Sequence, residues 1–513
     1  MTTTSWPRRL ELASLGVILV LGAVHLPYPF GGDQALFTIG ARELDRGAVL
    51  YRDFWDFKQP AIFWFYWLAG RLFGFDEVGV HALELVYFLL LSAVHLLTLR
   101  AWLRSSFVLA LVPLLTVGHY YVVSDWWHLT QVEGLVGLPL YLAAWLTARP
   151  VGRATPWWLF LGGVMGGVVL LFKLMFLPIV LVFALTAFVE RRRSTPKPFG
   201  RTLGETLIPV AAGMMVPAAA ALAACLWTAS LEVALWTWFV FPLDVQREIP
   251  APGLWRLLGG LSWFAQRFSW LAALAVLGAV VGARRRDPLA VNLIGWCGVG
   301  LAVILAQTQS WWAYHYHLLG LPLGLLAALA LDEAWERGTL ARIFEDSPRS
   351  RAVLLVALAL CFLPSGVLMI RKVGYLLKEA PAWWQPEARQ RYREALNAEY
   401  ETASQEVAFL IGPGSLPGPI FVFGNPLYYL ISGRRQAIAL NGWFMEVAPA
   451  AQWREATRQL GEARPPYMFV ASIEEGLIRQ HSKELAFLIT TAYRPLRHGP
   501  HGTWYVRATG RAP

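Results

Sequence analysis

The sequence predicts an α-helical polytopic membrane protein of about eleven transmembrane helices, followed by a small C-terminal α/β domain. Three observations carry that prediction. Over 513 residues 56% are hydrophobic and only 15% charged, with a mean hydropathy of +0.46, far from the balance of a soluble globular protein. Apolar runs of about 16 to 22 residues, long enough to cross a bilayer as helices, recur through most of the chain. The basic residues between those runs fall in alternate loops.

Twenty-five Trp and seventeen Tyr suit a chain with many water–lipid boundaries, where amphipathic rings settle at headgroup level. The formal charge of +10 therefore reads as helix orientation rather than nucleic-acid binding. Cys225, Cys297 and Cys361 each lie in apolar sequence, which suggests packing roles and neither a disulfide framework nor a zinc cluster.

The runs begin near Leu10, Val80, Phe107, Val132, Trp157, Leu174, Leu207, Phe268, Leu289, Leu318 and Ala352. Arg8 and Arg9 precede the first, which lacks a small-x-small cleavage site and reads as a retained helix, not a signal peptide. The runs from Trp157 and Leu174 adjoin at Lys173; a re-entrant helix there would change the count.

With the N-terminus cytoplasmic, the cytoplasmic loops carry Arg100 and Arg104, then Arg149 and Arg153, then Arg191, Arg192, Arg193, Lys197 and Arg201. Further on they carry Arg284, Arg285 and Arg286, then Arg337, Arg342, Arg349 and Arg351. That distribution follows the positive-inside rule. The opposite side receives residues 30–76, 123–131, 232–267 and 307–317, together with the tail. The boundary is expected at about residue 371, with 1–371 the transmembrane domain and 372–513 an extracytoplasmic one. In the tail, "PIFVFG", "QAIAL", "PYMFVAS" and "TWYVRA" read as strands, with Ala450 to Gly461 and Ile473 to Leu485 as helices between them. Trp384 to Leu410 is expected to form a connecting helix.

Most of the unusual polar residues lie on the outward side. In the first loop, Asp33 follows Gly31 and Gly32 and either caps a helix running to about Arg46 or stands as a general base toward an acceptor hydroxyl. Asp53 and Asp56 are three apart, which lets both point to one side of a helical turn. Lys58 is close by, either neutralising a carboxylate or meeting an anionic phosphate. Pro60 opens "PAIFWFYWLAGRLFG", an amphipathic helix expected to lie in the interface.

In the second loop Asp125, His128 and Glu133 cluster at the entrance of a span, and Glu133 is too close to apolar sequence for a purely solvated role. A divalent cation held by Asp33, Glu133 and His128 is chemically admissible, although no close ligand spacing demands one. Lys173 interrupts apolar sequence and reads as a phosphate-binding residue or as a snorkelling interfacial lysine. His315 and His317 open the tenth run, either to hold phosphate or acceptor or as structural interface residues.

These residues together resemble the GT-C class of membrane glycosyltransferases, in particular bacterial family 39-like members akin to protein mannosyltransferases and the aminoarabinose transferases of lipid A. The stretch "DQALFTIGARELDRGAVLYRDFWDFKQPAIFWFYWLAGRLFG" is similar to that family's first-loop signature. Glu133, Lys173 in "GGVVLLFKLMFLP", "HYHLLGLPLGLLAA" and "IFVFGNPLYYLISGRR" extend the likeness over most of the chain. The resemblance implies a GT-C-like fold and an inverting transfer of a sugar from a polyprenyl-phosphate donor to an envelope glycan, lipid or protein, on the extracytoplasmic face of a bacterial cytoplasmic membrane. It places Asp33 as catalytic base, with Lys58, Lys173 and His315 as partners for the departing phosphate, and Asp53 and Asp56 orienting Lys58 or sugar hydroxyls. His128, Glu133 and His317 complete the expected substrate-binding set.

Two departures stand out. Asp33 is followed by Gln34 where protein mannosyltransferases carry an Asp-Glu pair, which weighs against protein hydroxyls as acceptor. The second loop has "QVE" in place of a two-acid, metal-binding motif, so no obligatory metal is implied. A transporter or flippase of lipid-linked sugars is the rival of another class; the chain shows no repeated halves and no concentration of polar residues at mid-membrane. An O-antigen ligase or polymerase would be expected to carry its polar site in one late loop.

Overall fold

The apolar runs form helices wherever the chain is described. The computed structural model describes residues 5–152, 155–195, 197–251, 253–337, 386–443 and 445–508, with isolated residues between 366 and 378. Among the described residues eight helices are long and apolar enough to cross a membrane: Glu77–Ala101, Ser106–Val123, Thr155–Phe172, Leu174–Ser194, Phe199–Trp227, Leu254–Arg285, Pro288–Ala306 and Ala313–Glu336. The first run lies on helix α1 (Ser5–His25), whose opening turns hold Arg8, Arg9 and Glu11, and the fourth on the shorter apolar stretch Val132–Thr147. The run from Ala352, with Arg153, Arg342, Arg349, Arg351, Cys361 and Trp384, lies outside the described residues.

The chain divides into two compact units. A membrane unit comprises Met1–Leu26, His81–Ala221 and Pro252–Pro381; a loop–tail unit comprises Pro27–Val80, Leu222–Ala251 and Ala382–Pro513. The first loop thus groups with the tail.

In the membrane unit, close helix packing rests on small residues. A Cβ on Gly163 would lie 2.1 Å from the carbonyl oxygen of Val210, and one on Gly213 would lie 2.0 Å from that of Phe160. Glycine lets these two backbones touch, the usual means of helix association where lipid removes the hydrophobic drive. Some buried polar side chains in this unit are tied to main-chain groups. Buried Asp332 accepts from the amides of Arg104 (3.0 Å) and Ser105 (2.8 Å), and Asn292 donates to the carbonyl of Ala144 at 2.8 Å.

The loop–tail unit is built on helix α2 (Gly32–Asp45), helix α3 (Pro60–Phe73) and the tail. Helix α3 buries Ile62, Phe63 and Tyr66 and exposes Trp64, Trp67, Leu68, Leu72 and Phe73. Both faces are therefore apolar, a correction to the amphipathic reading and a surface fit for lipid rather than water.

The tail folds around a four-stranded sheet of order β1-β2-β4-β3: β1 (Ile420–Phe423), β2 (Tyr467–Ala471), β3 (Tyr493–His498) and β4 (Gly502–Arg507). Strands β1 and β2 are parallel, with Ile420 opposite Tyr467, and the remaining pairs are antiparallel. Trp453 and Trp504 are fully buried in this unit. The expected strand "QAIAL" makes only a single bridge at Gln436, because that side-chain amide folds back onto the carbonyls of Ile438, Ala439 and Leu440. Strand β3 was not expected: its Tyr493 is buried and the rest of it exposed, so an edge strand shows no apolar alternation. The helix expected from Ile473 is two, Ser472–His481 and Lys483–Ala492, with Ser482 capping the second. The connecting segment is likewise two helices, Pro386–Leu396 and Glu399–Ile411.

Candidate functional site

Asp33 occupies the first turn of α2, while the N-cap is Gly31, whose amide donates to Gln34 Oε1 at 2.5 Å. The cap expected of Asp33 is therefore supplied by its neighbours. Its carboxylate, buried near the positive end of the helix dipole, instead faces the tail of its own unit: Oδ1 accepts from Trp443 Nε1 at 3.1 Å, and Oδ2 lies 3.7 Å from Lys58 Nζ. Gly32 makes this possible, since a Cβ there would sit 2.2 Å from Trp443 Cζ2.

Lys58 is held by the turns that precede α3. Tyr51, at φ 72°, donates its hydroxyl to the Lys58 carbonyl (2.9 Å) and accepts from Trp238 Nε1 (2.9 Å). Asp56 Oδ1 accepts from the Lys58 amide at 2.8 Å. The Lys58 ammonium lies over the rings of Phe37 (4.9 Å) and Phe57 (4.7 Å), a cation–π cradle that holds it beside Asp33. Asp33 and Phe37, one turn apart on α2, share that face.

Asp53 and Asp56 do not share one side of a helical turn, because residues 51–58 form successive non-helical turns. Asp53 is partly exposed, bonds the Arg52 guanidinium at 2.9 Å and accepts from the Val49 amide at 2.9 Å; the guanidinium holds its carboxyl below the usual range. Asp56 is buried, and burial pushes its carboxyl upward against the opposing pull of Lys58.

In the membrane unit Glu133 is 3% exposed in the first turn of Val132–Leu135. Lys173 Nζ donates to Glu133 Oε1 at 2.8 Å, and His315 Nε2 lies 3.8 Å from the same oxygen. Lys173 reaches this carboxylate because helix Thr155–Phe172 ends just before it: its backbone is extended, at φ −162°. The break between the adjoining runs thus serves an ion pair, and the runs remain separate helices, Thr155–Phe172 and Leu177–Ser194.

His128 and His317 meet elsewhere in that unit, their rings 5.5 Å apart, with His128 4.7 Å from the Trp263 ring and its Nδ1 accepting from the Asp125 amide at 3.0 Å. Asp125 bonds Arg267 at 3.0 Å. His317 Nε2 lies 3.5 Å from Ser124 Oγ. Among the described residues no group of three or more His, Cys, Asp and Glu side chains is arranged to hold a metal ion.

Three partners escaped the sequence reading. Trp443 and Arg267 lie far along the chain from the acids they bond. Glu84, fully buried in the Val80 run, accepts from Tyr120 Oη at 2.7 Å and the Thr130 amide at 2.6 Å. A lone Glu in apolar sequence was the available signal.

Among the described residues the chain is thus a multi-helix membrane protein with a second unit built from its first loop and its tail. The chain is similar in structure to ArnT from Cupriavidus metallidurans bound to undecaprenyl phosphate, at a TM-score of 0.62 and 14% identity over 99% of each chain. It is likewise similar to the apo state of that protein, at 0.57 and 13% over 98% of each. At that identity the likeness establishes the fold. No family model and no curated relative matches the sequence.

Proposed function

We propose that this protein is a glycosyltransferase that moves a sugar from a polyprenyl-phosphate donor to a cell-envelope acceptor, with inversion, and that Asp33 is its base. The observation that carries the proposal is a buried carboxylate at a helix start, set between the Trp443 N–H and the Lys58 ammonium, in a chain sharing the whole fold of a transferase seen with undecaprenyl phosphate. The acceptor hydroxyl gives its proton to Asp33 as its oxygen bonds the anomeric carbon; the bond from that carbon to the lipid phosphate breaks on the opposite face, and the phosphate leaves with the electron pair.

Charge developing on that phosphate requires a fixed cation. Lys58 is the one beside Asp33, and Asp56 positions it through the main chain. In the membrane unit, Lys173 and His315, gathered at Glu133, are proposed as anion-binding groups. The arginine-rich ends of Leu177–Ser194 and Leu254–Arg285 support a cytoplasmic N-terminus and an extracytoplasmic loop–tail unit in a bacterial cytoplasmic membrane.

The test is turnover of purified protein with a panel of polyprenyl-phosphate sugars and envelope acceptors. Asp33→Asn keeps an acceptor for Trp443 but loses the base, and should lower turnover about 100- to 10,000-fold. Unchanged turnover would remove Asp33 from this role.

A further inference from the structure

Glu84 lies fully buried in the span Glu77–Ala101 and takes no part in the chemistry above. A carboxylate at such a depth is costly unless donors hold it. Its Oε1 accepts from two of them, the Tyr120 hydroxyl at 2.7 Å and the Thr130 amide at 2.6 Å, while Oε2 lies 3.7 Å from His81 Nδ1. His81, one turn earlier on the same helix face, stands 3.2 Å from the Thr130 hydroxyl. The amide and the hydroxyl of Thr130 are thus both met from one helix.

Thr130 needs that grip. Its φ is 54°, in the left-handed region that a β-branched residue rarely enters, and such strain persists only where the surroundings over-determine it. The bend falls between the turn Trp126–His128 and the short helix Val132–Leu135, so it sets the direction in which that helix starts. Glu133 stands in the helix's first turn and accepts from Lys173 Nζ at 2.8 Å. The same span also holds the far end: Tyr87, one turn beyond Glu84, donates its hydroxyl to the Leu135 carbonyl at 2.6 Å. Between the two ends the helix rests on Tyr120, since a Cβ on Gly134 would lie 3.0 Å from Tyr120 Cε2. So short a helix has too few hydrogen bonds of its own to fix its place. The span fixes it.

We propose that Glu84 is a positioning residue: through the Thr130 backbone, 46 residues away in sequence, it fixes the short helix that presents Glu133 to Lys173 and His315. That Lys173 serves an anion rests on the glycosyl-transfer reading; that Glu84 governs its pairing does not. A purely packing role for Glu84 would lower stability and leave Lys173 where it is. A positioning role makes the change local to Lys173.

The experiment is acylation of lysines in the full-length protein in nanodiscs by an amine-reactive reagent, read residue by residue by mass spectrometry. The Lys173 side chain is 21% exposed, so reagent reaches it, and pairing with Glu133 slows its reaction. Glu84→Leu removes both carboxylate oxygens and should raise the Lys173 rate about tenfold or more, while Lys197, paired with Glu205, keeps its rate. Glu84→Gln retains an oxygen for the Thr130 amide and should stay near wild type. Tyr87→Phe frees only the Leu135 end and should raise the rate about threefold; it carries the test where melting shows that Glu84→Leu does not fold. An unchanged Lys173 rate in the folded variant overturns the positioning role, as does an equal rise at Lys197, the mark of general loosening. Undecaprenyl phosphate added to wild type should slow Lys173 acylation. Failure of that lipid to protect, with the rise in Glu84→Leu or Tyr87→Phe intact, counts against the anion reading alone.

Discussion

Gly32→Ala sets two physical effects against each other at the proposed catalytic carboxylate. Gly32 is the first residue of a helix, so propensity alone makes alanine better there by up to about 1 kcal/mol. Packing has the opposite sign. The new Cβ would lie 2.2 Å from Trp443 Cζ2 and 2.6 Å from both Cε2 and Cη2, against an ordinary carbon separation of about 3.5–4.0 Å. The indole must retreat by about 1.5 Å on that comparison, which carries its N–H, now 3.1 Å from Asp33 Oδ1, out of hydrogen-bond reach. Overpacking costs about 1–3 kcal/mol, and a lost hydrogen bond to a charged group about 1.5–3 kcal/mol. The net expectation is destabilisation by about 1.5–6 kcal/mol, with a fall in transfer rate of about 100-fold from misplacement of the site.

Thermal unfolding in detergent and turnover are the assays. Gly16→Ala on α1, where no atom lies within 4 Å of the added carbon, is the control and should change little. Trp443→Phe, with a shorter ring, should partly relieve Gly32→Ala in a double-mutant cycle. Gly32→Ala as stable and active as wild type would refute the contact between α2 and Trp443, and with it the description of the site.

Lys173→Met leaves Glu133 buried without its ammonium and should destabilise by about 3–5 kcal/mol, most of it recovered in Lys173→Met with Glu133→Gln; chemical unfolding of the two variants is the measurement. Asp56→Ala removes a buried acceptor from the Lys58 amide and should cost about 1–3 kcal/mol, whereas Asp53→Ala, at an exposed pair with Arg52, should stay below about 1 kcal/mol; similar melting shifts for both would sink the distinction. Burial, with Glu446 nearby, raises the Glu474 carboxyl from 4.5 to about 7. The fold thus prefers the protonated form, whose contribution is complete below 4.5 and disappears as pH rises through about 7. Glu474→Gln should therefore melt above wild type at pH 8 and lose that advantage in acid; a pH-independent difference would contradict the assignment.

Sequence alone determined the class of the molecule, because hydropathy acts on whole segments and needs no knowledge of neighbours. Runs of apolar residues became helices, and the polar residues singled out by their surroundings, Asp33, Asp56, Lys58, Glu133 and Lys173, proved buried or paired. Tertiary structure decided the partners. Helix spacing suggested that Asp53 and Asp56 act together, yet non-helical turns send one to Arg52 and the other to the Lys58 backbone. Nothing local to "GGDQ" marks Trp443, which is more than four hundred residues away and bonds Asp33 only because the tail folds with the first loop in one unit. Strand β3 was illegible for the complementary reason: an exposed edge carries no apolar period, so pairing with β4, not its own residues, makes it a strand. Burial is encoded in segments, but pairing is a property of positions in space.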